Sequence, residues 1–269
     1  MNKPLVSIVT VVKNGGRHLC KAIESVLSQS YRNIEYIIID GASTDSTLDV
    51  IREYDDRLAY WASEQDRGIS DAFNKGIMSS TGDIIGIINS DDWYEPHAVQ
   101  TVVNEFVRHP DTGVVCGTAA YWQGEHFMFA SGSSFHKLRH RMTVQHPTVF
   151  ARKSVYDQYG LFRDDFRYAM DYELMLRFSL AGVKMVSLPD RISNMRLGGR
   201  SDLNWNRAYR EVRRAKLVNG LPRVSSEFDY VYAILDRALV IGLDFIGLKR
   251  IIPRLKYRFR KRQAGITVH

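Results

Sequence analysis

The sequence lacks the features of secreted disulfide-rich proteins and of membrane-spanning proteins. It has only two cysteines, Cys20 and Cys116, and neither has a cysteine or histidine partner at the spacing of a zinc site. The first apolar run, Leu5 to Val12, lacks the basic leader and cleavage site of a secretory signal and is too short to cross a bilayer. We therefore expect a cytoplasmic protein without a disulfide framework.

Acidic residues are missing from one end of the chain. The formal net charge is +7, yet residues 1–195 carry 20 basic and 24 acidic side chains, whereas residues 249–269 carry eight basic side chains and no acid. Large apolar residues alternate with the eight cations of residues 249–262. This basic amphipathic pattern predicts peripheral attachment to an anionic membrane surface, with a solvated helical appendage as the alternative. Nucleic acid is disfavoured as a partner because the N-terminal body is acidic.

Strand and helix signals alternate along the N-terminal half. Strands are predicted at Leu5–Val12, Ile34–Asp40, Leu58–Ser63 and Asp83–Asn89. Helices are predicted at His18–Ser28, from a cap at Ser43 or Thr44 to Tyr54, at Ser70–Ser79, and from Pro96 to about His109. This order is typical of an α/β fold with a mostly parallel, Rossmann-like sheet flanked by helices.

The second half is less regular. Strands are predicted at Val114–Gly117, Gln145–Phe150 and Lys184–Leu188, and helices at Lys153–Tyr159, Asp171–Leu180, Trp205–Val218 and Phe228–Leu248. The polar stretch around Gly198-Gly199 reads as a flexible segment. We therefore predict two parts, a nucleotide-binding α/β domain over residues 1–195 and a basic helical extension over residues 196–269.

Acidic side chains follow two of the predicted strands. Asp40 ends one apolar run, and Asp91 and Asp92 come just after another. In open parallel sheets, ligands bind beyond the carboxyl ends of the strands, where a carboxylate can accept from a base or a ribose hydroxyl and a pair of carboxylates can hold a divalent cation. Either site alone could be an ordinary turn or a helix cap. Two such acidic sites at one edge of the sheet favour ligand binding over ordinary turns or helix caps.

Several motifs, all in the same order, resemble those of family 2 glycosyltransferases. Each has a counterpart in the family: a first strand, a nucleotide-binding turn, a donor-contacting helix, a metal-binding DXD motif and a catalytic-base motif. These motifs are Val6–Asn14, Ile38–Asp45, Asp66–Gly76, Asn89–Asp92 and Met170–Glu173. The resemblance covers roughly residues 4–195 and implies the GT-A fold and an inverting, metal-dependent sugar transfer from a nucleotide-diphosphate donor. The implied acceptor is a glycan, in particular a lipid-linked one, in the synthesis of surface polysaccharide.

The resemblance also implies roles for individual residues. Thr10, Val11, Asp40 and Asn74 would contact the nucleotide sugar. Asp91 would contact the ribose and, with Asp92, hold Mn²⁺ or Mg²⁺. Asp171 would be the catalytic base. The first acid of the DXD motif is Asn89 here, which leaves open which aspartate is the main metal ligand.

Some residues keep two interpretations. Asp171 could instead be a helix-first-turn acid, and Glu173 is the second candidate for the base. His146 is either a structural histidine or a contact to acceptor or donor. The aromatic residues near position 125 are either edge-strand residues or a sugar-stacking platform, namely Tyr121, Trp122, Phe127 and Phe129.

Other function classes are disfavoured by missing or intact motifs. No Gly-x-Gly-x-x-Gly follows the first strand, as a dinucleotide-dependent dehydrogenase would require. Gly15-Gly16-Arg17 only faintly matches the glycine-rich loop of a sugar nucleotidyltransferase. The intact acids disfavour a non-catalytic nucleotide-sugar-binding module.

Overall fold

The computed structural model describes residues 3–198 and 204–245. This part of the chain holds nine strands, and it holds eight helices that are at least four residues long. The strands are β1 (Val6–Val12), β2 (Ile34–Asp40), β3 (Tyr60–Ser63), β4 (Ile84–Asn89), β5 (Trp93–Tyr94), β6 (Val114–Gln123), β7 (His126–Gly132), β8 (Phe150–Arg152) and β9 (Met185–Arg196). The helices are α1 (Gly16–Leu27), α2 (Thr47–Glu53), α3 (Ile69–Ser79), α4 (Ala98–Arg108), α5 (Lys153–Tyr159), α6 (Met170–Leu180), α7 (Trp205–Val218) and α8 (Arg223–Phe245).

One mixed sheet organises the fold. Its strand order is β3-β2-β1-β4-β8-β6-β9-β5, and β7 pairs with β6 as a hairpin. Strands β1 to β4 are mutually parallel, as their alternation with helices predicts. Strands β8, β5 and β7 are antiparallel to their neighbours, so the second half of the sheet is mixed.

A hydrophobic core lies on each face of the sheet. Successive residues of a strand point to opposite faces, so Val9 and Ile37 pack with α3, α5 and α6, whereas Ile8 and Ile38 pack with α1 and α4. Helix α3 lies very close to β1, because a Cβ at Gly76 would sit 2.2 Å from a methyl group of Val9. Ala215 of α7 is fully buried in the first core.

Most predicted elements are confirmed, with differences at their ends. The predicted strand at Gln145–Phe150 is wrong: His146–Thr148 form a 3₁₀ turn, and the strand begins only at Phe150. Pro147 accounts for this difference because it has no N–H to donate to a sheet. The second helix begins at Thr47 with Ser46 as its N-cap residue, so the predicted cap at Ser43 or Thr44 is wrong; the Ser43 hydroxyl bonds to Asp40 and that of Thr44 to Asn14.

The chain between the two parts and its C-terminal end are outside the described residues. The predicted flexible segment includes residues 199–203, and the basic tail falls within 246–269. Helix α7 has the predicted bounds, and α8 begins at Arg223, earlier than predicted. The division of the chain at residue 195 stays a prediction.

Candidate active site

The register of the parallel strands brings the predicted acids to one edge of the sheet. Val12 of β1 pairs with Asp40 of β2, and Val11 pairs with Asn89 of β4. The carboxyl ends of three adjacent strands therefore meet at the same level. This is the edge where parallel α/β sheets bind ligands.

Asp40 is buried at the end of β2, and its carboxylate organises the turn that follows. It accepts hydrogen bonds from the Ser43 backbone N–H (3.0 Å), the Ser43 hydroxyl and the Ser63 hydroxyl (2.6 Å). Thr10 is also buried, and its hydroxyl lies 2.9 Å from that of Tyr36. Contacts of Asp40, Thr10 and Val11 with a nucleotide stay predictions. The hydrogen bonds of Asp40 and Thr10 fix the shape of the sheet edge at which a nucleotide would bind.

Asp66 lies against this turn, although the sequence interpretation gave it no role of its own. A Cβ at Gly41 would lie 2.2 Å from Asp66 Oδ2 and 3.4 Å from Lys13 Cδ. The other Asp66 oxygen accepts the Gly68 N–H at 2.9 Å. Gly68 has a φ of 140°, which favours glycine, and this loop conformation directs Asp66 at the turn. The signal in the sequence was the acid-x-glycine spacing within Asp66–Gly76.

The acids after β4 differ in exposure. Asp91 is exposed, whereas Asp92 is 3% exposed and accepts hydrogen bonds from the Asn89 side-chain amide (3.1 Å) and the Arg196 backbone N–H (3.1 Å). Burial, and secondly the charge of Asp91, raise the pKa of Asp92 to about 8. Asn89 therefore acts as a donor to Asp92 in place of the first acid of the motif.

A divalent cation fits this donor set only with help from a ligand. Two neighbouring carboxylates, one of them buried, are an arrangement whose repulsion a cation relieves. In residues 3–198 and 204–245, however, no three His, Cys, Asp or Glu side chains are grouped closely enough to hold a metal ion. Magnesium-type cations often use one or two carboxylates and complete their shell with substrate phosphates and water. Asp91 and Asp92 match that mode.

Cationic and aromatic side chains surround these acids, and the sequence interpretation missed them. The Lys21 ammonium lies 3.6 Å from the centroid of the Trp93 ring, and the Arg196 guanidinium lies 5.2 Å from it. His18 is close enough that Arg196, after burial, lowers its pKa. Arg196 comes from β9, more than a hundred residues beyond Asp92 in the chain. Positive charge beside the acids suits an anionic ligand such as a diphosphate.

Asp171 and His146 lie close enough for the charge of each to act on the other. Asp171 lies in the first turn of α6 and is half-buried, and the Tyr172 N–H donates to its Oδ1 at 2.7 Å. Burial raises the pKa of Asp171, and His146 partly opposes this effect. Burial lowers the pKa of His146, whose ring packs against Phe73 and Phe162 at 5.5 and 5.9 Å between centroids. The pair is therefore a carboxyl group with a raised pKa beside an imidazole with a lowered pKa.

Glu173 has a structural position. It is 1% exposed, and both its oxygens accept from the Arg177 guanidinium, at 2.9 and 3.1 Å. The same guanidinium donates to the carbonyls of residues 159–161, and Asn219 of α7 donates to Glu173 at 3.2 Å. Every Glu173 oxygen is thus engaged inside the protein, which leaves Asp171 as the better placed candidate for a base.

Asn74 and the aromatic hairpin also make internal contacts. The Asn74 side chain donates to the Phe162 carbonyl (2.8 Å) and accepts from its N–H (3.0 Å), so it fastens α3 to the loop before α6. A donor contact by Asn74 stays a prediction. On the hairpin, Tyr121 stacks on Phe129, and Trp122 meets Phe127 edge to face. These pairs fit the edge-strand interpretation.

The glycine-rich start of α1 offers no phosphate cradle. The Gly15 N–H donates to the Thr47 hydroxyl at 3.0 Å, and the Gly16 N–H donates to the Asp45 carboxylate at 3.2 Å. These amides would have to be free to hold a triphosphate. Their bonds therefore weigh against a nucleotidyltransferase.

Helix α8 carries an apolar stripe on its surface. None of the helices in the described part of the chain is both long enough and apolar enough to cross a bilayer. Large side chains are nevertheless exposed at helical spacing along α8, namely Val224, Phe228, Val231, Leu235 and Leu239. Four of them are more than 60% exposed. The stripe is therefore a surface feature.

The sequence is similar to a family model and to several known proteins. The chain matches the family model described as glycosyl transferase family 2 over residues 7–203. A glycosyltransferase of Rickettsia typhi is 29% identical over 192 residues, which cover 65% of this chain and 58% of the relative. The chondroitin synthase of Escherichia coli is 28% identical over 186 residues, which cover 66% of this chain and 27% of that protein. The matched region is thus little more than half of the first relative and about a quarter of the second.

Two solved structures have a fold similar to that of this chain. TarS of S. aureus, solved with UDP-GlcNAc, superposes with a TM-score of 0.67 at 15% identity, over 86% of this chain and 71% of that one. The mannosyltransferase PcManGT of Pyrobaculum calidifontis, solved with GDP-Man and Mn²⁺, gives 0.62 at 17% identity, over 98% and 85% of the two chains. Both confirm the predicted α/β fold of the GT-A type. Because the family model spans most of the sequence, this chain belongs to glycosyl transferase family 2.

Proposed function

We propose that the protein transfers a sugar from a nucleoside-diphosphate donor to a hydroxyl group of a glycan acceptor, with inversion at the anomeric carbon. The observation that carries the proposal is the placement of Asp171. Its carboxyl group lies in the first turn of α6 with a pKa raised by burial, beside His146, whose own pKa is lowered by burial. A base is more effective when its pKa approaches the working pH, so this environment suits proton removal from a hydroxyl.

The proposed step is a single displacement. The acceptor oxygen attacks the anomeric carbon of the donor sugar, and its proton passes to an oxygen of Asp171. The bond between that carbon and the diphosphate oxygen breaks on the opposite side, and the electron pair leaves with the nucleoside diphosphate. Lys21 and Arg196 lie over the ring of Trp93, the residue after Asp92, and share the exposed Glu125 as an ion-pair partner. Together they leave positive charge near the end of β4.

A divalent cation would be held by Asp91 and Asp92 together with the diphosphate of the donor. When bound, it would supply positive charge that stabilises the departing diphosphate. The neighbour solved with GDP-Man and Mn²⁺ supports Mn²⁺ or Mg²⁺ as the ion. The protein's own contribution is to keep Asp92 fixed through Asn89 and the Arg196 backbone.

The donor and acceptor classes follow from the neighbours. TarS was solved with UDP and with UDP-GlcNAc, and PcManGT with GDP-Man, so a nucleotide sugar is the common donor chemistry. Relatives named chondroitin synthase and hyaluronan synthase support a growing polysaccharide as the acceptor. We therefore infer a role in bacterial-type polysaccharide synthesis.

The test combines a donor panel with two variants. Purified protein is incubated with UDP- and GDP-sugars and oligosaccharide acceptors, with and without Mn²⁺, and released nucleoside diphosphate is measured. We expect Asp171→Asn to abolish transfer while donor affinity, measured by calorimetry, stays within about twofold of wild type. We expect Asp91→Ala to lose turnover and the effect of added Mn²⁺. Full transfer by Asp171→Asn contradicts the base assignment, and full activity in excess chelator contradicts the metal assignment.

We also propose that the enzyme works at the cytoplasmic face of a membrane, on lipid-linked glycan acceptors. The apolar stripe of α8 and the cation-rich residues 249–262 lie close together in sequence, and together they make the two-part signal of peripheral membrane proteins. Each lysine or arginine near an anionic surface contributes about 1 kcal/mol, and salt weakens that attraction.

Vesicle co-sedimentation tests this attachment. We expect the full chain to bind anionic vesicles at low salt and to be released at high salt. Truncation after Leu248, or the double change Leu235→Ser and Leu239→Ser, should weaken binding and spare transfer to a soluble acceptor. Val107→Ser removes an apolar side chain of similar exposure on α4 and should leave binding unchanged. If the full chain stays in the supernatant with anionic vesicles at low salt, the proposal is contradicted.

A further inference from the structure

Glu211, in the middle of α7, binds the backbone just before the helix that carries Asp171. Its carboxylate accepts N–H groups from three successive residues. The donor–acceptor distances are 3.0 and 3.1 Å to Arg167, 2.6 Å to Tyr168 and 2.9 Å to Ala169. More than forty residues separate the carboxylate from the amides that it binds.

These bonds hold the turn that leads into α6. Helix α6 begins at Met170, and its N-cap residue, Ala169, has no side chain that could accept a hydrogen bond. Glu211 binds the N–H of this N-cap residue and the two amides before it, so it fixes the direction in which the chain enters the helix. A carboxylate at this end also interacts favourably with the positive end of the helix dipole. Asp171 follows Ala169 by two residues, so its backbone is fixed by the same contacts.

Helix α7 holds the preceding loop at further points. Arg214 donates to the Asp165 carbonyl at 3.0 Å and to its carboxylate, and its guanidinium lies 4.8 Å from the centroid of the Phe166 ring. Arg207 donates to the Tyr168 hydroxyl at 3.3 Å. The loop is therefore fastened to α7 by side chains as well as by its backbone.

We propose that Glu211 is a positioning residue, which holds the start of α6 so that the Asp171 carboxylate is presented to the acceptor hydroxyl. The inference rests on the proposed role of Asp171 as the base. It assigns a function in the reaction to a residue outside the predicted catalytic part of the chain, residues 1–195.

The charge of Glu211 has a second, measurable effect. Burial is the main cause that raises the pKa of the Asp171 carboxyl; His146, on the 3₁₀ turn before β8, lowers this pKa, and the Glu211 charge adds a smaller increase through space. Among the other charged groups of α7 at this place, Arg214 forms an ion pair with Asp165, whereas Arg207 donates to the Tyr168 hydroxyl and keeps its charge. On α6, the Glu173 carboxylate is paired with a guanidinium. Removing the Glu211 charge should therefore lower the pKa of Asp171.

The experiment compares Glu211→Gln with Glu211→Asp and with Glu227→Gln. Glu227 lies on α8 and pairs with Arg213 of α7, so the last variant also removes a carboxylate that pairs with α7. We expect Glu211→Gln to lower kcat by about 10- to 100-fold, since small misplacements of a reacting group have effects of this size. Donor affinity should stay within about twofold, and the acid limb of the kcat profile should move to lower pH. Glu227→Gln should change none of these.

Glu211→Asp separates position from charge. The shorter side chain keeps the charge and loses reach, so kcat should fall while the acid limb stays closer to its wild-type position. This variant also serves as the test if Glu211→Gln does not fold, as judged by thermal unfolding. Wild-type kcat in a folded Glu211 variant overturns the proposal. If Asp171→Asn is inactive at the same time, only the Glu211 role fails, whereas an active Asp171→Asn refutes the base assignment itself.

Discussion

Replacing Glu173 distinguishes a structural acid from a catalytic one two residues away. The Glu173 carboxylate is buried and forms a two-pronged pair with Arg177. In Glu173→Gln the guanidinium keeps its backbone carbonyl partners but loses its counter-charge. We therefore expect a loss of unfolding free energy with little change in kcat, the reverse of the result expected for Asp171→Asn.

The size of this loss can be bounded. Removing one partner of a buried ion pair costs about 3–5 kcal/mol. Arg177 is 21% exposed and retains three carbonyl acceptors, so we expect the lower part of this range or slightly less, about 2–3 kcal/mol. For a protein of this size each kcal/mol corresponds to about 2–4 °C in Tm, so the expected fall is roughly 4–12 °C.

The assay is thermal and urea unfolding beside single-turnover sugar transfer. Glu53→Gln is the matched control, because Glu53 is an exposed glutamate on α2 and its change should stay within about 0.5 kcal/mol. A Glu173→Gln variant as stable as Glu53→Gln, but inactive, would refute the reasoning and make Glu173 the base. A variant that is destabilised and active at low temperature supports it.

Two further predictions concern the site. Burial raises the pKa of Asp171, and a base works deprotonated, so kcat should fall as the pH drops through a value above the ordinary aspartate pKa of about 3.9; a kcat–pH profile measures this. Gly41→Ala should weaken donor binding by roughly tenfold, about 1.4 kcal/mol, because its Cβ would displace Asp66, whereas Gly132→Ala meets only an ordinary contact; calorimetry with a nucleoside diphosphate compares them.

The sequence predicted the parts of the site that depend on local patterns. β1, β2 and β4 are rich in β-branched apolar residues, and a polar residue at the end of such a strand marks the edge of the sheet. The placement of Asp40 and Asp91 at the ends of the two strands that flank β1 could therefore be predicted without knowing any long-range contact. The same reasoning gave the bounds of α7, whose polar and apolar residues follow the helical period.

The rest of the site depends on contacts between distant residues. Asp66 reaches the turn only because Gly41 leaves room for it, and Arg196 reaches Asp92 from more than a hundred residues away. The acid-x-glycine spacing within Asp66–Gly76 marks the first loop but not its contact with Gly41, and the Arg196 contact has no local signature. The predicted strand at Gln145–Phe150 is wrong because Pro147, which has no N–H for a sheet hydrogen bond, interrupts the apolar run.

The last prediction concerns where the catalytic unit ends. The division at residue 195 separates α7 from the residues it contacts: Glu211 binds the start of α6, Asn219 binds Glu173, and Ala215 is fully buried in the core. A chain that stops at Gly198 would leave three amides and a buried apolar surface without these partners. We expect such a chain to lose transfer activity and to unfold at a lower temperature, whereas a chain that stops at Leu248 keeps both properties. Equal Tm and kcat for the two truncations would place the functional boundary at residue 195 and make α7 an appendage.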